Sequence, residues 1–254
     1  MSGSLLVFAV IASAFAASGL EPAPPGPMPD APPQYTRFST SEVTRGFLAL
    51  AFGSDFLVGK MPKGIRRYDH PIRAHVLSDS KIDRAPAMTR VLEEYARGVP
   101  NLHLAVVTGD APADVEVRLI EEKNFKAALE AAFGPRIARR FIARTDPICM
   151  TSVRSDAEGA IARSVSFIIV DKGDRVFFDC AYHEVLHALG LPNHDQHNPW
   201  TTLNQRRMVG YLSVYDHALL TLLYDPRIRP GMRRAQAAAL LPRLIHELGV
   251  AQGK

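Results

Sequence analysis

The chain has 254 residues, 47% of them apolar and 22% charged, the make-up of a globular protein rather than a disordered or fibrous one. Its 30 basic and 26 acidic residues leave a formal charge of only +4. Basic pairs such as Arg139-Arg140 and Arg206-Arg207 show no repeated aromatic interleaving, so no nucleic-acid partner is expected.

Residues 5–17 form a near-continuous apolar run with small residues around Ala14, Phe15 and Ala16. The run is shorter than the roughly 20 apolar residues of a spanning helix. It reads as a secretory signal peptide over residues 1–17. Residues 18–36 follow as a Pro-rich linker, densest over 21–34, which has no capacity to pack. The expected location is secreted or periplasmic, by bacterial export, with no stable membrane insertion after cleavage. Residues 37–254 should form one domain.

Ser41, Val43, Phe47, Leu48 and Ala51 have the spacing of a capped amphipathic helix ending near Gly53. Residues 65–76 alternate as a strand does, 87–96 read as a helix, and 102–107 and 115–120 read as strands. Residues 121–143 are helical in pattern, broken at Gly134-Pro135. Residues 149–153 and 161–170 flank the turn-like Ser155-Asp156-Ala157-Glu158-Gly159 and predict a hairpin. The stretch 165–170 is the strongest strand, and is expected to offer an edge to an extended peptide. A turn over 171–174 then leads into a helix. Without regular βαβ alternation the fold class is α+β: a twisted mixed sheet from 65–170, a helix beneath it, and a mostly helical carboxy-terminal part.

That helix carries the chemistry. Residues 180–190 read Cys-Ala-Tyr-His-Glu-Val-Leu-His-Ala-Leu-Gly. His183 and His187, four apart, lie one turn above each other on one face and can share one metal ion. Glu184 can reach a water on that ion as general base and return the proton to a leaving amine. Zinc suits the work because it keeps an open position and lowers the pKa of its water to about 7. Val185, Leu186, Ala188 and Leu189 make the helix largely apolar, and a buried stripe of two imidazoles and a carboxylate needs something to satisfy it. Gly190 is placed to end the helix, and Pro192 prevents its resumption. The returning chain can offer His194, Asp195 or a further group such as His197 as third ligand, with His194 favoured.

In an exported protein Cys149 and Cys180 can pair as a disulfide, which would contribute about 3 kcal/mol. Two buried thiols or a Cys2His2 zinc site are the alternatives. Positions 180 and 187 are about 10 Å apart at 1.5 Å rise per residue, too far for both to join one ion easily.

The run His183, Glu184, His187, Gly190 resembles the metzincin pattern His-Glu-x-x-His-x-x-Gly-x-x-His. At its last position this chain has Asn193, with the imidazole one residue later at His194. The resemblance implies a zincin-like fold and a Met-containing turn beneath the metal, for which the segment around Leu203 or that around Met208 could serve. It also implies an oxyanion donor, Tyr211 or Tyr215, although a core tyrosine is the commoner role for each. Trp200 lies near the site in sequence. Residues 47–56, 65–76, 190–193 and 222–232, with the cysteine pair, also resemble a bacterial family of exported proteins of unknown function.

The expectation is therefore a zinc metallopeptidase, metzincin-like, acting on peptide or protein substrates. Its site is Glu184 as base, His183, His187 and His194 on Zn2+, and a Cys149–Cys180 disulfide. The rivals are a zincin-fold binding module of the cell envelope that retains metal without turnover, and an amidase on a cell-wall component. Oligomeric state is not legible.

Overall fold

A computed structural model describes residues 37–52, 64–109, 111–145 and 148–250. The signal peptide, the Pro-rich linker and Gly53 lie outside the described residues.

The first element of the described residues is α1 (Thr40–Ala51). Its cap is Ser39 rather than Ser41. The Ser39 hydroxyl accepts from Glu42 N, and the Glu42 carboxylate accepts from Ser39 N at 2.8 Å, so two amino-terminal donors are satisfied reciprocally. Residues 65–76 are not one strand. Pro71 cannot donate to a ladder, and the strand β1 (Ile72–Ser78) begins only after it. Residues 64–67 instead bridge two turns: Ile161 N donates to Arg67 O at 2.9 Å and Gly231 N to Ile65 O at 2.8 Å.

After α2 (Ala85–Gly98) and β2 (Leu104–Val107), β3 (Val115–Ile120) occupies the predicted span. The expected break at Gly134-Pro135 divides α3 (Glu122–Phe133) from α4 (Pro135–Thr145). The predicted hairpin is β4 (Cys149–Ser155) and β5 (Ile161–Ile169), followed by α5 (Asp174–Ala188), α6 (Val214–Leu223) and α7 (Arg234–Glu247).

The five strands form one mixed sheet in the order β2-β1-β3-β5-β4, all parallel except β4. The fold is α+β. Helices cover both faces, so the sheet has two apolar sides. Val115, Val117 and Leu119 of β3 join the main core with α2 and α5, while Phe167 and Ile169 of β5 join a smaller cluster with Phe125 and Leu129 of α3. Burial on both faces explains why 167–170 is continuously apolar. It also overturns the expectation that this strand is an edge. β5 is paired with β3 on one side and β4 on the other, and among the described residues the edge on that side is β4.

Small hydroxyls on the sheet fasten α5. Ser164 Oγ donates to Ala188 O at 2.9 Å, and Thr151 Oγ1 to Glu184 O at 3.2 Å. The disulfide Cys149–Cys180, with Cα atoms 5.9 Å apart, ties the edge strand to the same helix. This pairing removes the Cys2His2 alternative. At the far end Arg67 Nη1 donates to the carbonyls of Leu223, Asp225 and Ile228, closing the carboxy terminus of α6. No helix of the described residues is long and apolar enough to cross a membrane.

Candidate metal centre

α5 ends as the sequence predicts. Gly190, at φ +113°, follows the last helical residues, with Gly190 N donating to His187 O and Leu191 N to Leu186 O, both at 3.1 Å. This pair of bonds is a Schellman ending. Glycine is required twice over, because a Cβ there would also stand 2.2 Å from Arg66 O. Leu191 is fully buried, and the chain turns back across the end of α5.

Asn193, the position the metzincin spacing indicates, points elsewhere. Its Nδ2 donates to Ala49 O at 3.0 Å and its N to Leu50 O, so it fastens the turn to the end of α1. His194 then enters the site. The Nε2 atoms of His183 and His187 lie 3.0 Å apart, and that of His194 is 3.1 Å from each. Asp195 and His197 do not join them: Asp195 Oδ1 accepts from His197 N within its own loop. Among the described residues these three histidines are the one group of His, Cys, Asp or Glu side chains that could hold an ion.

The outer nitrogens fix the tautomers. His183 Nδ1 faces Thr202 O at 2.9 Å and His187 Nδ1 faces Leu191 O at 2.6 Å. A carbonyl only accepts, so each Nδ1 carries the proton and each Nε2 a lone pair. Burial holds both rings neutral, pushing His183 down to about 3 and His187 well below its ordinary value. Lone pairs 3.0 Å apart with no proton between them repel, and a cation among them removes the conflict. The geometry fits zinc. The corners of the Nε2 triangle lie about 1.8 Å from its centre (3.1 Å divided by √3), inside the Zn–N bond length of about 2.0–2.1 Å. One ion could therefore reach all three with ordinary bonds.

Glu184 is buried and its Oε2 has no hydrogen-bond partner. Burial pushes this carboxyl up to about 8, with the Asp179 charge adding to the shift and Thr151 opposing it. Asp179, one turn before His183, is itself raised to about 6 by burial and accepts from Val209 N at 2.6 Å.

The turn beneath His183 is 201–204, not the segment of Met208. Thr201, Thr202, Leu203 and Asn204 are buried and Thr202 O meets His183 Nδ1, whereas Met208 is only half-buried and follows the exposed residues 205–207. Sequence reasoning singled out this turn without its anchor, Asp216. The signal was present in Ser213-x-x-Asp216, a helix-capping pattern. Tyr215 is a core residue whose hydroxyl donates to Glu42 O at 3.1 Å. Tyr211 accepts from Thr202 Oγ1 through its carbonyl, and Trp200 is half-buried against the core.

Residues 40–243 match the family described as Protein of unknown function (DUF2927). The chain belongs to that family. The DUF2927 match runs from the start of α1 into α7, and so takes in every element that builds the histidine cluster. Comparison with curated proteins finds no match.

Proposed function

We propose that this DUF2927 protein is an exported zinc-dependent hydrolase with a zincin-like, metzincin-like site, cleaving peptide bonds. The observation that carries the reading is the convergence of three imidazole Nε2 atoms at 3.0–3.1 Å, on and after the helix that carries Glu184, whose buried carboxyl has an unpartnered oxygen. His183, His187 and His194 would hold the ion. Zinc bound there would supply a Lewis acid and an open position for water.

The chain's own residues do the rest. Glu184 sits next to a ligand on α5, takes the proton of the attacking water and hands it to the leaving amine. Its Oε2 has no other partner, so one carboxyl can serve first as base and then as acid. The substrate would lie along β4, whose outer edge is unpaired among the described residues and which is bound to α5 at Thr151 and Cys149. An extended peptide adding to that edge gains main-chain hydrogen bonds and is held against the helix of the site. The disulfide supports an oxidising compartment, and hence export.

Glu184→Gln tests this. The amide is nearly isosteric and the residue is not a ligand, so zinc content should be unchanged. Hydrolysis of a broad peptide library should fall by roughly 10² to 10⁴. Wild type that binds zinc fully yet is as inert as the variant would replace this reading with a metal-retaining binding module.

A further inference from the structure

Asp216 lies in the first turn of α6, and its side chain is fully buried. Three donors meet its carboxylate: Thr201 Oγ1 at 2.5 Å, Thr202 N at 2.7 Å and Ser213 Oγ at 2.8 Å. No Lys or Arg among the described residues forms an ion pair with it. A carboxylate buried against neutral donors alone is costly, and capping α6 does not require it. Ser213 already does that, accepting from Asp216 N at 2.9 Å.

What the carboxylate uniquely grips is the turn 201–204. Two of its bonds hold Thr201 and Thr202, and Leu203 N closes the turn onto Thr201 Oγ1 at 3.1 Å. The carbonyl of that same Thr202 receives His183 Nδ1 at 2.9 Å. The path from Asp216 to the ring of His183 therefore runs through one residue. We infer that Asp216 is a positioning residue of the histidine site, holding the Thr202 carbonyl that aims His183; this rests on the reading of the three histidines as zinc ligands. Deviation of that carbonyl would rotate the His183 ring and pull its Nε2 away from the other two.

Zinc dissociation constants, measured by competition with a chromophoric chelator, test the inference on the full chain. Asp216→Asn should bind zinc roughly 10- to 100-fold more weakly, the usual effect of losing a group that orients a ligand. Thr201→Val, which removes one of the two grips on the turn, should weaken binding by a smaller factor. Ser213→Ala cuts the helix cap and the Ser213 bond to Asp216 but leaves both grips on the turn, so it should melt at a lower temperature and keep zinc affinity within a few-fold of wild type. Wild-type affinity in Asp216→Asn would overturn the inference. So would a loss in Ser213→Ala as large as in Asp216→Asn, since general stability would then account for both. Should Asp216→Asn fail to fold, Thr201→Val decides, and wild-type affinity there overturns the inference. Wild type without zinc is a separate outcome that removes the site reading itself.

Discussion

Gly190→Ala puts the link between fold and site under direct test. At φ +113° the backbone is in a region that an L side chain occupies only under strain, at about 1–3 kcal/mol. The new Cβ would stand 2.2 Å from Arg66 O. Relief requires the turn or residues 64–67 to move by about 1 Å, which strains the bonds from Gly190 N and Leu191 N at about 1 kcal/mol each. The sum is about 3–5 kcal/mol, a large part of the 5–15 kcal/mol that holds a typical domain together. His194 lies only four residues beyond this turn, so zinc affinity should fall with stability. Urea denaturation of EDTA-treated protein reads the fold separately from the metal, and zinc titration of the refolded variant reads the site. A variant within about 0.5 kcal/mol of wild type, the ordinary range of a neutral surface change, would refute the reasoning.

Non-reducing mass spectrometry should find Cys149 and Cys180 joined, and replacing both by Ala should cost about 3 kcal/mol; two free thiols in exported protein would contradict the pairing. His194→Ala should lose zinc while Asp195→Ala keeps it, because Asp195 is turned into its own loop; the reverse result would reassign the third ligand. Asp179 gives a pH test on metal-free protein. Its folded pKa is raised from 3.8 to about 6 by burial, so its contribution is present below about pH 4 and lost as pH rises through about 6. Asp179→Asn has no such loss. The stability difference between the two should shift in favour of the variant by about 2–3 kcal/mol between acid and neutral pH, and a difference independent of pH would contradict the buried, raised carboxyl.

Much of the fold is legible in local pattern. β3, the hairpin, the Gly134-Pro135 break and the glycine that ends α5 each depend on neighbours within a few residues. What depends on distant partners is not. Whether 165–170 is an edge is decided by β3, some fifty residues earlier in the chain. The apolar run 167–170 did carry the signal, since a strand buried on both faces loses its alternation. The site divides in the same way. His183, Glu184 and His187 follow from helical spacing alone. His194 rather than Asn193 follows from the turn being fastened to α1, a contact spanning over 140 positions. The choice of turn 201–204 follows from Asp216, which no spacing rule connects to His183.

The central claim is that three histidines form a zinc site, and metal analysis tests it most directly. Wild-type protein equilibrated with zinc and freed of excess should carry about one zinc per chain, and His183→Ala or His187→Ala should carry none. Wild type without zinc, or stoichiometric zinc surviving when both histidines are replaced, would contradict the account.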